Sequence, residues 1–185
     1  MVKKIENPKI NIWVIGLLFV AGLIFTAKGF ASDDELAKYK ADEALVGDHL
    51  VKFDTLDFDV YSNQKWDRLK ESHAENIVVH YPDGHISTGL QAHIEELKPM
   101  FVFAPNTKIK VHPVKFGSGP WTCVTGVLTG TFSKPMPLGH GKFIQPTGKK
   151  FKLEMCTVGH WENGLMIEEY LLWDNLAFMK QIGAM

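Results

Sequence analysis

The chain has almost no surplus charge of either sign: 20 Lys and Arg against 21 Asp and Glu leave a formal net charge of -1. A phosphate-binding surface shows as a basic excess, so nucleic acid is excluded as a main partner. Also missing are a Gly-rich phosphate loop, a Gly-x-Ser-x-Gly nucleophile elbow and a dinucleotide fingerprint, so the sequence implies no cofactor. There are no internal repeats and no low-complexity linker. At 185 residues the chain has room for one ordinary domain with its own hydrophobic core.

Cysteine is scarce as well, with only Cys123 and Cys156. If a loop over 133–149 joins the strands that carry them, with ends pairing near Phe132 and Lys150, then Cys123 falls opposite Gly159 and Cys156 opposite Gly126. The two sulfurs are then about three residue steps out of register, on the order of 10 Å along the strand. That is too far for a bridge and predicts two free, partly buried thiols. Neither has a His neighbour in sequence that would favour a thiolate nucleophile.

What the chain does have begins with its first 31 residues. Lys3 and Lys4 precede an apolar stretch from Ile10 to Ala27, and Gly29-Phe30-Ala31 leads into the charged Ser32-Asp33-Asp34-Glu35. This is the layout of a signal peptide cleaved after Ala31, which predicts a secreted or periplasmic chain starting at Ser32. The alternative is an uncleaved membrane anchor, for which the stretch is slightly short.

Beyond it, Asp33 to about Tyr61 has helical character, with Leu50, Phe53, Asp57 and Val60 on one side, and a short helix follows from about Gln64 to His73. Asn76 to Tyr81 reads as a buried strand ending in the turn Pro82-Asp83-Gly84. Ser87 or Thr88 can cap a helix from about Gly89 to Phe103. Four strands are expected near Lys108 to Phe116, Trp121 to Phe132, Lys149 to Trp161 and Leu165 to Trp173. Helices first and sheet afterwards is an α+β layout. The last two strands flank Asn163-Gly164, a strong hairpin signal, and the second stops at Asp174, where a C-terminal helix starts. The segment Lys134 to Lys142 is rich in Pro and Gly and long enough to be a lid, or else an ornament of a strand connection.

Several pieces resemble the SnoaL-like polyketide cyclase and ester cyclase group of the nuclear transport factor 2-like superfamily. They are Glu75 to Gly84, Gly89 with the helix containing His93, Gly130-Thr131-Phe132, Pro146 to Lys149, and Asn163-Gly164 leading through Glu168 to Asp174 and Gln181-Ile182-Gly183. The resemblance spans roughly Phe53 to Gly183. It implies a cone, or cystatin-like barrel, in which a curved antiparallel or mixed sheet wraps around helices, with a small-molecule pocket between them and a homodimer through the outer sheet face. It also implies that the strand Asn76 to Tyr81 runs parallel beside the last one.

On that arrangement His80, Asp174 and the loop 133–149 share one mouth. A His near a carboxylate is the usual apparatus for moving protons at neutral pH, and Asp174 is the acid/base position that the resemblance carries over. Its alternative role is to cap the C-terminal helix. For His160 the turn decides. A two-residue Asn163-Gly164 loop puts it opposite Ile167, and a three-residue loop puts it on the face of Glu168, Tyr170 and Asp174. In either case Asp174 is out of its reach, and a secondary pair would be His160 with Glu168. Trp66, Trp121 and Tyr170 either line the pocket or belong to the core, and His93 faces inward from its helix. The grouping His80, Asp83, His85 and His93 has no known metal spacing, so no metal is expected. Two functions follow: an exported, cofactor-free acid/base catalyst on a small apolar carbonyl or polyketide-like molecule, or a non-catalytic domain holding a hydrophobic ligand or a protein partner in the same cone.

Overall fold

A computed structural model of the protein describes residues 32–185; the segment read as a signal peptide or anchor lies outside the described residues. Among those residues no helix is long and apolar enough to cross a membrane. The chain divides into two units between Lys40 and Ala41. In the first, Ser32 opens helix α1 (Asp33–Thr55) with a reciprocal cap. The Ser32 N–H donates to Glu35 Oε2 at 3.0 Å and the Glu35 N–H to Ser32 Oγ at 3.2 Å, which satisfies two amides that the helix itself cannot.

The second unit, 41–185, holds the rest of the fold. After Thr55 the helix widens into a single π turn, Leu56–Tyr61, marked by the Ser62 N–H donating to the Asp57 carbonyl at 3.2 Å. A 3₁₀ turn, Trp66–Glu71, leads into strand β1 (His73–His80). Strand β2 (Ile86–Thr88) pairs back on β1, and helix α2 (Leu90–Phe103) follows. Ser87 and Thr88 therefore belong to β2 and cap nothing. The residue at the helix start is Gly89, whose φ of 99° lies in the region that favours glycine.

The remaining strands are β3 (Lys108–Ile109), β4 (Lys115–Ser118), β5 (Trp121–Thr131), β6 (Met136–Gly139), β7 (Lys142–Ile144), β8 (Lys150–Glu162) and β9 (Leu165–Trp173), before helix α3 (Asn175–Ile182). The strand expected over Lys108 to Phe116 is two pieces. Pro113 stands between them, has no N–H for a ladder, and both β3 and β4 pair with β5. The Pro/Gly-rich segment after β5 forms its own hairpin, β6 with β7.

The main sheet has seven strands, ordered β2-β1-β9-β8-β5-β3 with β4 also on β5. It is mixed, because β1 runs parallel to β9 while the other pairs are antiparallel. It is also open: the path ends at β2 and β3, so the sheet does not close into a barrel. Its inner face packs on the helices. One core cluster gathers Phe53, Ile77, Val79, Ile94, Trp161 and Leu171, and another gathers Phe103, Ile109, Phe132, Phe151 and Phe178.

The cysteines lie closer together than the sequence predicts. Cys123 pairs with Val158 and Cys156 with Thr125, so they are diagonal neighbours on one face with sulfurs 3.4 Å apart. They are free thiols. The 10 Å expectation fails because β5 and β8 pair one residue out from the assumed register, with Thr131 opposite Lys150.

Candidate active site

Strand β9 contains two adjacent glutamates, and adjacent strand residues face opposite sides of a sheet. Which one faces inward is decided at the hairpin. The turn is the two-residue kind, with Asn163 and Gly164 at φ 50° and 77° and Glu162 opposite Leu165. One extra residue, Ile167, then bulges out, because Trp161 pairs with Met166 but His160 pairs with Glu168. The bulge turns both Met166 and Glu169 inward, where they are 0% and 4% exposed. It turns Glu168 outward. A two-residue turn thus brings His160 opposite Glu168 rather than Ile167, an outcome that neither turn reading anticipates.

Glu169 faces a cavity of about 310 Å³ between the helices and the inner face of the sheet. Leu56, Leu97, Met100, Leu153 and Leu171 give it apolar walls, and the polar side chains of Asp57, His73, Tyr81, His93 and Glu169 converge on it. Exposed Asp83, His85 and Asn175 mark its mouth. Each inner group has a reason to be there. His73 is the first residue of β1, His93 lies in the first turn of α2, and Asp57 comes in on the π turn, a wide turn often found at functional sites.

These groups form two networks. In the first, Tyr81 Oη and His93 Nδ1 are hydrogen-bonded at 2.9 Å, and His93 Nε2 stands 3.3 Å from Glu169 Oε2. His73 Nε2 is 3.7 Å from the same oxygen. Burial in apolar surroundings pushes His93 down to about 4, so it is neutral at pH 7. Burial likewise lifts the Tyr81 hydroxyl to about 12. For Glu169, burial favours the protonated form, but the imidazoles of His73 and His93 outweigh it, and the net direction is downward.

In the second network His112 is clamped between two carboxylates, Nδ1 to Asp54 Oδ1 at 2.8 Å and Nε2 to Asp57 Oδ2 at 2.8 Å. With both carboxylates ionised, and so able only to accept, both ring nitrogens donate and the ring is an imidazolium. Burial works against that charge, but the hydrogen bonds that the ring donates to Asp57 and Asp54 hold its pKa above the ordinary imidazole range. Asp57 itself is pushed upward, burial outweighing its hydrogen bond with His112.

The residues singled out in the sequence fall in four places. His93 is in the cavity. His80, His160, Glu168, Tyr170 and Trp121 meet on the outer sheet face. There His80 Nε2 and Tyr170 Oη are 2.9 Å and 2.8 Å from Glu168 Oε1, and His160 Nδ1 is 3.9 Å from Glu168 Oε2. His80 stacks on Tyr170 and His160 on Trp121. Asp174 stands apart as the exposed N-cap of α3, accepting from the Ala177 N–H at 2.9 Å, and it lines a separate depression with Glu154 and Pro82. Trp66 packs edge-on against Tyr61 and Phe101. The grouping His80, Asp83, His85 and His93 is split, since His85 pairs with Asp83 at the surface while His80 and His93 lie on opposite faces of the sheet.

Asp57, His73, Tyr81, His112 and Glu169 were not among the site residues expected from the sequence. Two signals were available: an Asp within the apolar stripe of the first helix, and the Glu168-Glu169 pair, one of which has to face inward.

The family model for the SnoaL-like polyketide cyclase matches residues 54–182. The chain belongs to this SnoaL-like family. Solved structures agree on the fold. A candidate SnoaL-like polyketide cyclase from Jannaschia sp. CCS1 is 21% identical, with a TM-score of 0.66 over 76% of this chain and 95% of that one. IdmH, a candidate polyketide cyclase from Streptomyces antibioticus, is 18% identical, with a TM-score of 0.61 over 74% of this chain and 97% of that one. A candidate polyketide cyclase from Xanthomonas campestris is 13% identical, with a TM-score of 0.63 over 75% and 98%. No curated protein sequence matches the chain. Membership of the SnoaL-like family supports a cyclase or isomerase type of role on a small molecule, without a cofactor.

Proposed function

We propose that the protein is an acid/base catalyst on a small apolar carbonyl compound of polyketide type, and that the inner cavity is where it acts. One observation carries this: a buried carboxylate, Glu169, stands 3.3 Å from the Nε2 of a neutral imidazole in a cavity with apolar walls. A carbonyl compound held there loses a proton from the carbon next to its C=O to Glu169, and the electron pair of that C–H bond passes into the enolate. His93, fed by the Tyr81 hydroxyl, donates the hydrogen bond or proton that the enolate oxygen requires. The enolate carbon then attacks a second carbonyl of the same molecule to close a ring, or is reprotonated to give an isomer. Asp57, on the same cavity, is a second carboxylate that could take up the displaced proton.

Two further readings belong to this proposal. The leader-like first 31 residues support a reaction outside the cytoplasm, and the exposed Trp121 and Leu172 support the outer sheet face as the surface of a homodimer. The test is ligand-detected NMR and thermal shift with a panel of small carbonyl and polyketide-like compounds, on wild type, Glu169→Gln and Asp174→Asn. Turnover in wild type and Asp174→Asn, with binding but no turnover in Glu169→Gln, is the expected result. Loss in Asp174→Asn alone would move the chemistry to the helix cap. Binding without turnover in all three would make the domain a carrier of hydrophobic ligands.

A further inference from the structure

Three side chains of the cavity are arranged more closely than proton transfer requires. One ligand atom each from His73, His93 and Glu169 lie within 4.8 Å of one another. The His93 Nε2 to Glu169 Oε2 separation is 3.3 Å and the His73 Nε2 to Glu169 Oε2 separation is 3.7 Å. A divalent ion with bonds of about 2.0–2.2 Å to imidazole and carboxylate holds neighbouring ligand atoms about 3.0–3.5 Å apart. The triangle therefore needs to tighten by only a few tenths of an ångström on its measured edges.

The outer nitrogens of both rings are already occupied. His73 Nδ1 lies 2.8 Å from Ser72 Oγ and 3.3 Å from the Leu69 carbonyl. A carbonyl only accepts, so the ring proton sits on Nδ1 and Nε2 keeps its lone pair. His93 Nδ1 is held by Tyr81 Oη at 2.9 Å. Such outer partners orient metal-binding imidazoles and fix their tautomers. Inside the triangle, His73 Nε2 and Glu169 Oε2 are buried and have no hydrogen-bond partner among the described residues. Buried polar atoms are nearly always paired, so two that converge on one point are themselves an indication of a ligand.

We propose that His73 Nε2, His93 Nε2 and a Glu169 carboxylate oxygen form a binding site for a divalent transition-metal ion of the zinc class, its remaining coordination positions open to the cavity. Two imidazoles and one carboxylate suit zinc, cobalt or ferrous iron rather than calcium or magnesium. The three ligands come from β1, α2 and β9, so the secondary structure itself presents them. The inference goes beyond the acid/base reading and does not depend on it. An ion held here takes the Glu169 lone pair out of proton transfer, so the metal-bound form is silent in that reaction.

The test is calorimetric titration of the chelator-treated protein with Zn²⁺, and optical titration with Co²⁺, whose visible d–d bands report its coordination. Expected are one ion per chain, binding weakened at least about 100-fold in His73→Gln and in His93→Gln, and about 10–100-fold in Tyr81→Phe, which removes only the outer support. His85→Gln with Asp83→Asn should leave affinity unchanged. Cys123→Ser with Cys156→Ser should do the same and excludes the thiol pair as the site. Thermal melts of each variant in chelator establish that it is folded. No stoichiometric binding to wild type, or binding retained in both His73→Gln and His93→Gln, would overturn the proposal. Binding is read directly, so a protein that turns nothing over still gives a decisive answer about the ion.

Discussion

Replacing His112 by leucine removes the cation that two carboxylates share. The His112 side chain is 2% exposed, and its partner Asp57 is 13% exposed against 31% for Asp54. Asp54 keeps its ion pair with Lys115 and can turn to water, but Asp57 has neither escape. Breaking a buried charged pair by removing one partner costs about 3–5 kcal/mol, because the other charge stays behind unpaired. With a urea slope of about 2 kcal/mol per molar for a domain of this size, the unfolding midpoint should fall by about 2 M. Asp57→Leu should cost less, since His112 retains Asp54 and can shed its proton. The double variant replaces the pair with apolar side chains facing Phe53 and Phe58, and such replacements are often close to neutral. Its cost should therefore fall below that of His112→Leu alone, with a coupling of about 2–3 kcal/mol in the double-mutant cycle. A cost under about 1 kcal/mol for His112→Leu, or additive single effects, would refute the view that Asp57 is a buried carboxylate held by an imidazolium.

Other outcomes can be checked with the same unfolding assay. A Cβ added at Gly130 would lie 2.5 Å from Phe151 Cζ and 3.0 Å from Thr107 Oγ1, so Gly130→Ala should destabilise by about 1–3 kcal/mol through overpacking. The buried Trp161 indole N–H donates to Thr122 Oγ1 at 2.9 Å, and Thr122→Val should cost about 1–3 kcal/mol by orphaning it. Hydrogen bonds from Lys65 and Arg68 hold Asp59 down at about 2. Its folded pKa lies below its unfolded one, so the stability it adds is present above the ordinary carboxylate range and is lost as pH falls through about 2. The gap between wild type and Asp59→Asn should accordingly close between about pH 4 and pH 2. Oxidised glutathione should join Cys123 and Cys156, whose sulfurs are 3.4 Å apart, in one intramolecular disulfide seen by mass as the loss of two hydrogens. Persistence of two titratable thiols would contradict that geometry.

Much of the fold was legible because its signals are local. Asn163-Gly164 fixes a two-residue turn, and strand β9 ends at Trp173, as its pattern predicts. Pro82-Asp83-Gly84 closes the end of β1, with the Gly84 N–H donating to the Tyr81 carbonyl. The parallel pairing of β1 with β9 joins residues 90 or more positions apart, and the resemblance to a known family implied it where periodicity did not.

The site was less legible, because it depends on single-residue shifts of register. Ile167 in a bulge sends Glu169 inward and Glu168 outward, and alternation counted from the turn gives the opposite facing. The one-residue slip between β5 and β8 likewise turns two distant thiols into neighbours. His73, read as the end of a helix, is the first residue of a strand because the 3₁₀ turn stops at Glu71. Side-chain facing, more than secondary structure, separates the outer cluster of His80, His160 and Glu168 from the inner one of His73, His93 and Glu169.

On the proposed mechanism Glu169 takes a proton from carbon inside the cavity. That step is tested most directly by following deuterium incorporation next to the carbonyl of a small cyclic ketone or diketone in D₂O by NMR, with metal-free protein. Exchange should be catalysed by wild type and by Asp174→Asn, and should fall to the uncatalysed rate with Glu169→Gln. Catalysed exchange that survives in Glu169→Gln and disappears in Asp174→Asn would contradict it.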